Sequence, residues 1–336
     1  MASPHAERRS LALALLAALA MTASRARADE PTAAAAAEAA VVAAEKDPAQ
    51  IPAAKVAVDA AAKAAPHATG PLLLLARVSV AEALAAKKGD EKKAAYQAAL
   101  ASLSKAQDLD LRDPAPWRLR VDVLTAMSTG RDEMTEALRA LAIRLPGDPK
   151  ARENYRRQTG KLPALRAGDP MPLVVWKDSA GKDVAVADLW ANRLLVVELF
   201  RTTTWCEFCR RRLFELHDHA GDFEANNVTL VAVSPDPAEV IAAVEKDGLK
   251  GKKPFKVRLL SDPRGAQGDK LGVLNPEYAQ PSTKPDLFGL PHPTTIVVDQ
   301  AGVIRFIEMH EDFKNRTKVD EIIAAVGRAR SPVAPR

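Results

Sequence analysis

The sequence predicts a chain of two parts, an all-α helical module followed by an α/β domain whose central mixed sheet is flanked by helices. Three observations support this prediction. Apolar residues recur at helical spacing across residues 67–162, short β-rich runs alternate with helical stretches across residues 166–330, and both cysteines lie in the second part. At 336 residues the chain has room for two ordinary domains after a targeting segment.

Residues 1–28 are expected to form a cleavable secretory signal. Arg8 and Arg9 give a basic start, and Leu11–Ala20 is an apolar core too short to span a bilayer. Ala26-Arg27-Ala28 then offers small residues for cleavage, with an uncleaved anchor as the alternative. No other stretch approaches membrane-spanning length, so we expect a secreted or periplasmic protein without a membrane span in its mature chain.

The composition argues against a nucleic-acid partner. The formal net charge is +5, but the basic residues are mixed with acidic ones, and aromatic residues make up only 4% of the chain. A nucleic-acid-binding surface needs clustered Lys and Arg side chains with aromatic residues between them. The modest positive charge therefore does not indicate nucleic-acid binding.

An alanine-rich segment of residues 29–66 separates the signal from the helical module. Alanine forms helices readily but carries little bulk to bury, and the segment contains scattered Glu, Lys and Pro residues. We therefore expect a loose helix or a disordered spacer in this part of the chain.

The helical module of residues 67–162 contains a sign of internal repetition. Two Asp-Pro pairs begin at positions 113 and 148, an offset of 35 residues. The stretch Trp117–Pro146 resembles one tetratricopeptide repeat, whose period is about 34 residues, and a plain helical hairpin bundle is the alternative. Either arrangement makes the module a candidate for contact with a protein partner, and neither brings visible chemistry.

The second part alternates between predicted strands and predicted helices, which is typical of an α/β domain with one central sheet. The expected strands are Leu194–Phe200, Val228–Ser234, Val257–Leu260, Thr294–Asp299 and Val303–Glu308. The expected helices lie near Cys209–Phe223, Ala238–Asp247 and Lys318–Arg328.

Cys206 and Cys209 are the only cysteines, and their spacing indicates reactivity rather than a structural staple. A disulfide between them closes a tiny loop and constrains the unfolded chain little. The pair follows a hydrophobic strand and opens the next helix, where backbone N–H groups and the helix dipole lower the pKa of a thiol below about 8.5. The second cysteine lies one turn inward, close enough to attack a mixed disulfide.

Other roles for a C-x-x-C pair find less support. Covalent haem attachment needs a histidine after the second cysteine, where this chain has Arg210. Zinc needs two further ligands, and His217 and His219 point to different faces of the predicted helix. No glycine-rich dinucleotide motif is visible, so we expect no bound organic cofactor and no metal, with electrons supplied by another thiol system.

A second motif strengthens the redox interpretation. Residues Gly289–Asp299 contain Pro291-His292-Pro293 followed by a strand, and Gly302–Phe306 resembles the second arm of a hairpin. This arrangement resembles the thioredoxin superfamily, in which a cis-proline loop before such a strand faces the active disulfide. Pro293 matches that proline, which implies that its loop presents backbone to a bound substrate beside Cys206. His292 would tune the redox site from the neighbouring position.

Residues 166–328 resemble the redoxin branch of that superfamily, the alkyl hydroperoxide reductase/thiol-specific antioxidant group with C-x-x-C members. The matching residues are Trp205-Cys206-Glu207-Phe208-Cys209, Leu290–Asp299, Asp312-Phe313 and Arg316-Thr317. The resemblance implies that Cys206 attacks first and that Cys209 resolves the intermediate. Trp205 and Phe208 would supply apolar surface for the substrate.

The chain also departs from a typical peroxiredoxin. Thr203 matches the threonine that lies three positions before the first cysteine, but Leu199 stands where the family has proline. The arginine that polarises the peroxide usually lies just before the late strand, where this chain has Pro293 and its neighbours. Arg201 is a candidate to replace it. These departures favour disulfide exchange over peroxide reduction.

Glu198 is the remaining candidate residue of the site. A carboxylate in a central strand costs free energy unless it is paired or solvated. In thioredoxin, a buried acid at a comparable strand position assists proton transfer at the inner cysteine, and Glu198 resembles it. A structural or edge-facing Glu198 is the alternative.

From these residues we expect an exported thiol–disulfide oxidoreductase that acts on thiol or disulfide substrates, with the direction of exchange left open. The first alternative is a peroxiredoxin-like hydroperoxide reductase with Cys206 as the peroxidatic residue. The second is a helical-repeat scaffold, or a copper-binding protein using His292, with a non-catalytic redoxin domain. Copper-delivery proteins of this fold space their cysteines one residue wider than Cys206 and Cys209, which disfavours copper.

Overall fold

The computed structural model describes residues 32–128, 131–247, 255–279 and 287–330. The chain divides into two compact units, with the division between Thr129 and Gly130. The predicted signal of residues 1–28 lies outside the described residues.

The first unit is helical throughout its described part. Its helices are α1 (Ala33–Lys46), α2 (Ile51–Ala64), α3 (Thr69–Ala85), α4 (Gly89–Leu109) and α5 (Ala115–Met127). One core joins α3, α4 and α5 through Tyr96, Leu103 and Val123, all of which are buried. This packing gives the unit an apolar centre of its own.

Residues 29–66 were expected to form a loose helix or a disordered spacer, and their described part forms helices α1 and α2, which are packed rather than loose. Val41 of α1 and Val58 of α2 pack with Leu74 and Val78 of α3 in one buried cluster. Alanine at the surrounding contact positions loses no side-chain entropy on burial, so the small contact surface is enough to hold the helices. The expectation considered the alanine content and overlooked Val41 and Val58, whose larger side chains pack into the buried cluster.

The second unit begins with helices α6 (Arg131–Arg144) and α7 (Pro149–Thr159). The stretch Trp117–Pro146 therefore contains two helices, α5 and α6, and its kinship to tetratricopeptide repeats stays a prediction. Ile143 of α6 contributes to the core of the sheet domain that follows.

A seven-stranded mixed sheet forms the centre of the second unit, as predicted. The strands are β1 (Val175–Lys177), β2 (Asp183–Ala185), β3 (Leu194–Leu199), β4 (Val228–Ser234), β5 (Arg258–Ser261), β6 (Thr294–Val298) and β7 (Ile304–Met309). Their order is β2-β1-β5-β4-β3-β6-β7. Strand β4 pairs in parallel with β3 and β5, whereas β6 runs antiparallel to β3 and β7. Strand β3 is thus central and hydrogen-bonded on both sides.

The five strands expected from the sequence are present, and no end is shifted by more than one residue. Strands β1 and β2 were not predicted, because three residues are too few to show the alternation on which strand prediction depends. The remaining helices are α8 (Val186–Trp190), α9 (Glu207–Asp218), α10 (Ala220–Ala225), α11 (Ala238–Asp247), α12 (Ala266–Leu271) and α13 (Val319–Arg330).

Two apolar cores cover the two faces of the sheet. Val197 and Leu199 of β3 face one core, and Val196 faces the other together with Leu213 of α9 and Ile322 of α13. Since side chains alternate along a strand, helices α9 and α13 lie on the same face of the sheet. None of the helices in the described ranges combines the length and hydropathy needed to cross a membrane.

Candidate active site

Cys206 and Cys209 lie where the sequence placed them, at the start of α9. Cys206 is the residue that caps the helix, and its Sγ accepts the backbone N–H of Cys209 at 3.3 Å. The two sulfurs are joined in a disulfide, so the structure represents the oxidised protein. Cys206 is 4% exposed and Cys209 is fully buried. Cys206 is therefore the slightly more accessible of the two, and the expected order in which they react stays a prediction.

The first turn of α9 surrounds Cys206 with positive potential. The helix N-terminus directs backbone N–H groups toward the sulfur. Arg210 donates from Nη1 to the carbonyl oxygen of Thr204, which fixes the loop before the pair. Arg211 forms an ion pair with Glu207 at 3.1 Å, so these two exposed charges largely cancel.

A buried carboxylate holds the loop that leads to Cys206. Asp236 accepts the Thr203 backbone N–H at 2.7 Å and the Thr203 hydroxyl at 2.9 Å. Its other oxygen accepts the Thr202 hydroxyl at 2.6 Å. The hydroxyl proton of Thr203 is thus directed at Asp236, and only the oxygen lone pairs remain to accept a bond from another partner.

Arg201 lies in a box of aromatic rings next to the cysteine pair. Its guanidinium is 5.0 Å from the ring centre of Trp205, 5.4 Å from that of Tyr278 and 4.7 Å from that of Phe313. Arg201 is only 7% exposed, and no carboxylate in the described ranges forms an ion pair with it. Trp205, in contrast, is 50% exposed and offers an open apolar surface beside Cys206.

Glu198 is buried in β3 and carries an ion pair with Arg212 of α9. Arg212 donates to its two oxygens at 3.0 and 3.3 Å, and the Thr295 hydroxyl donates to the second oxygen at 2.7 Å. Burial acts to lower the pKa of Arg212, but Glu198 and Glu215 more than offset it and hold that pKa above its ordinary value. This geometry explains how a central strand tolerates a carboxylate.

Arg316, in the segment before α13, reaches the inner cysteine. Its Nη2 lies 3.5 Å from the Sγ of Cys209. Burial lowers the pKa of Arg316, Glu198 opposes that shift, and Arg212 and Arg201 reinforce it. The guanidinium of Arg316 is therefore in direct contact with the inner sulfur of the disulfide.

The residues before β6 are engaged within the protein. The backbone N–H of His292 donates to Val273 at 2.8 Å, and the carbonyl oxygen of His292 accepts the Thr294 hydroxyl at 2.9 Å. The carbonyl oxygen of Pro293 accepts the N–H of His310 at 2.9 Å. Backbone groups that the resemblance assigned to a bound chain are already bonded here.

Four contributors to this arrangement were not among the predicted site residues, namely Arg212, Asp236, Phe313 and Arg316. Phe313 and Arg316 entered the sequence analysis only as matches to the redoxin branch, whereas the other two leave a local trace in the sequence. Arg212 lies three residues after Cys209 on the same helix face, and Asp236 follows the strand beside β3, where carboxyl ends of parallel strands meet. Within the described ranges no group of three or more His, Cys, Asp or Glu side chains is placed to hold a metal ion.

A mixed sheet whose interior strand β3 leads into a helix opened by a disulfide-bonded cysteine pair gives the second unit the fold of a thioredoxin-like redoxin. A family model described as the AhpC/TSA family matches residues 167–307. Alkyl hydroperoxide reductase E of Mycobacterium bovis, and likewise that of Mycobacterium tuberculosis, is 31% identical over 120 residues, which cover 34% of this chain and 67% of the relative. The chain belongs to the AhpC/TSA family.

Solved structures are similar over about half of the chain. Peroxidoxin BcpB from Mycobacterium tuberculosis matches with a TM-score of 0.42 and 20% identity, covering 50% of this chain and 99% of that one. A peroxiredoxin-like protein from Aquifex aeolicus matches with a TM-score of 0.41 and 18% identity, covering 50% of this chain and 89% of that one.

Proposed function

We propose that the protein is a thiol peroxidase that reduces hydroperoxides with Cys206 and Cys209. The observation that carries this proposal is the disulfide between the two cysteines at the start of α9, within a domain of the AhpC/TSA family. Relatives at 31% identity are named alkyl hydroperoxide reductases. The proposal ranks the peroxidase above the thiol–disulfide oxidoreductase that the sequence alone favoured.

In the proposed reaction Cys206, the slightly more exposed of the two cysteines, reacts first. The thiolate of Cys206 attacks one peroxide oxygen, the O–O bond breaks, and the leaving alkoxide takes a proton to become an alcohol. Cys206 is left as a sulfenic acid. Cys209 then attacks that sulfur, the S–O bond breaks, and hydroxide leaves as water after taking a proton. The product is the disulfide of the structure, which an external dithiol reduces by two electrons.

Arg201 is the proposed substitute for the arginine that a typical peroxiredoxin carries before its late strand. Its charge is buried, lacks a carboxylate partner in the described ranges, and stands over Trp205, the residue before Cys206. A cation in a water-poor site stabilises charge that develops on a departing oxygen. The exposed face of Trp205 provides apolar contact for an alkyl hydroperoxide.

Thiol–disulfide exchange is the second candidate, and the C-x-x-C spacing together with Leu199 in place of proline favours it. Exchange with a protein needs a backbone surface on which the substrate chain can lie. The N–H and carbonyl of His292 and the carbonyl of Pro293 are hydrogen-bonded within the protein instead. This engagement supports a small hydroperoxide over an extended protein chain as the substrate.

Stopped-flow fluorescence of the reduced protein mixed with hydrogen peroxide or an alkyl hydroperoxide tests the proposal, with Trp205 as the reporter beside Cys206. We expect a second-order signal far faster than the reaction of a free thiolate. Cys206→Ser should abolish it, and Cys209→Ser should keep the first step but stop disulfide formation. A rate no better than that of free cysteine would reject the peroxidase and leave disulfide exchange.

Cys206→Ser also separates the enzyme from a scaffold. Both enzyme proposals require complete loss of turnover in this variant, whereas a scaffold or copper carrier would keep its partner affinity. Export by residues 1–28, and a protein partner for the helical unit, are likewise proposals that rest on the sequence patterns described above.

A further inference from the structure

We propose that Arg316 is a further catalytic residue, which holds Cys209 as a thiolate so that the resolving step begins from a charged nucleophile. The role in that step rests on the proposed peroxidase function. The ionisation of Cys209 does not, because it is a property of the reduced protein without any substrate.

The position of Arg316 is fixed by its own segment. Nη1 donates to the carbonyl oxygens of Phe313 and Asn315 at 2.6 and 2.7 Å. The neighbouring Thr317 is buried, and its hydroxyl donates to Glu308 of β7 at 2.7 Å, which ties the segment to the sheet edge. Nη2 is thereby directed at the Sγ of Cys209, at 3.5 Å. Few rotamers can satisfy all of these bonds, so the contact with sulfur is preorganised.

The contact gains strength when the disulfide is reduced. A disulfide sulfur is neutral and a weak acceptor, whereas a thiolate accepts a charge-assisted hydrogen bond. Cys209 is fully buried, so water cannot solvate a negative charge on its sulfur. Burial alone would keep Cys209 as a neutral thiol. The helix N-terminus and Arg316 are the positive groups near Cys209 that can lower the pKa of its thiol.

The charge balance around Arg316 also favours a thiolate. Arg212 is bonded to Glu198 and Glu215. Arg316 has no ion-pair partner among the carboxylates of the described ranges, and its Nε is buried without a hydrogen-bond partner there. A partly buried guanidinium without a bonded counterion carries a desolvation cost. A negative charge on Cys209 lowers that cost once Cys206 has become a neutral sulfenic acid.

Two consequences follow for the chemistry. In the resolving step the Cys209 thiolate donates an electron pair to the Cys206 sulfur, the S–S bond forms, the S–O bond breaks, and the hydroxide takes a proton from solvent. No proton has to leave Cys209 first. In addition, stabilising the reduced pair over the disulfide raises its reduction potential, which makes the pair a better oxidant.

The first test titrates the full-length Cys206→Ser variant by its ultraviolet thiolate absorbance, since Cys209 is then the only thiol. We expect Cys209 to ionise below the free-thiol pKa of about 8.5 despite its burial. Arg316→Met in this background should raise the pKa of Cys209 by about one unit, equal to about tenfold less thiolate at any pH well below that pKa. Arg316→Lys should restore most of the effect.

Lys318→Met is the matched control, because it removes an exposed positive charge two residues away. It should leave the titration of Cys209 unchanged. Two outcomes would overturn the proposal: ionisation of Cys209 above the free-thiol value in Cys206→Ser, or the same titration with and without Arg316→Met. The first outcome is measured in Cys206→Ser without any change at Arg316, so it can contradict the proposal even if Arg316→Met fails to fold.

A second test follows the resolving step in the protein with both cysteines. Arg316→Met should slow disappearance of the Cys206 sulfenic acid about tenfold and leave its formation by peroxide within about twofold. The same tenfold effect on the exchange equilibrium lowers the reduction potential by about 30 mV. If the protein proves inactive toward peroxide, the titration and the potential still report on Arg316, so failure of the two proposals can be told apart.

Discussion

At the scale of single residues, Arg201 is the group proposed to activate the peroxide. We predict that Arg201→Met, which keeps the contact with the three aromatic rings, lowers the second-order rate constant for Cys206 and peroxide by about tenfold or more. The physical reason is loss of a buried cation beside the departing oxygen. Competition against a peroxidase of known rate would measure it.

Arg211→Met is the matched control for Arg201. Arg211 is exposed and already paired with Glu207, so its removal should change the rate less than about twofold. Equal rates for Arg201→Met and the parent protein would show that peroxide activation depends on another group.

We expect the stability of the second unit to depend on both partners of the buried ion pair between Glu198 and Arg212. Glu198→Ala leaves the Arg212 guanidinium without its main partner in a core position, and we expect it to cost about 3–5 kcal/mol of unfolding free energy. Replacing both partners by leucine should recover a large part of that loss. Urea denaturation of the oxidised proteins measures both, and a loss under about 1 kcal/mol for Glu198→Ala would contradict the pairing.

The site was predictable from sequence where its residues are neighbours and was not where the fold joins distant ones. Cys206 and Cys209 could be identified as a reactive pair from their spacing and from the predicted strand before them. Asp236 binds Thr203 across 33 positions, and Arg316 reaches Cys209 across 107. Neither distance leaves a local pattern, because such contacts are set by sheet order and not by helical or strand periodicity.

At the scale of elements, helix α6 is fastened to the segment before β1 by one buried ion pair. Arg139 donates to Asp169 at 2.7 and 3.0 Å, and Nη1 also bonds the carbonyl oxygen of Ala164. We predict that Arg139→Met destabilises the second unit by about 3 kcal/mol or more, since it leaves Asp169 buried without its counterion. Thermal and urea unfolding would check this, and a neutral effect would contradict it.

The same cluster predicts a loss of stability in acid. Burial acts to raise the pKa of Glu136, but Arg139 and Arg166 prevail and hold that pKa below its ordinary value. A carboxyl with a lowered folded pKa contributes stability above its unfolded pKa, and that contribution disappears as pH falls through the folded value. Glu136→Gln should therefore flatten the acid limb of the stability profile, and an unchanged limb would argue against the linkage.

The elements were predicted where a pattern was long enough to show its period. Strands β3 and β4 each carry six or seven consecutive residues with high apolar content, and both were placed within a residue. Strands β1 and β2 have three residues each and left no period. Helices α1 and α2 were underestimated because their composition was weighed without the spacing of Val41 and Val58.

At the scale of the molecule, the second compact unit begins at Gly130 and includes α6 and α7. We predict that a fragment of residues 130–336 folds cooperatively, whereas one of residues 166–336 is less stable by at least about 3 kcal/mol. The shorter fragment uncovers the core where Ile143 packs and separates Asp169 from Arg139. Calorimetry of both fragments measures the difference in their stability and so tests this prediction.

Asp169→Asn in the shorter fragment is the control for this comparison. It removes the unpaired charge, so part of the lost stability should return, while the uncovered core stays. Equal melting of the two fragments would show that α6 and α7 are not needed by the sheet domain.

The small ring closed by Cys206 and Cys209 has a consequence for motion. The hydrogen bonds that hold strand β3 in the sheet come from β4 and β6, and none of these strands is part of the ring. Amide hydrogen exchange in the centre of the sheet should therefore be equally slow in the oxidised and reduced protein. Faster exchange on reduction is expected only at the first turn of α9, so reduction of the disulfide should open a few amides and leave the global unfolding rate unchanged.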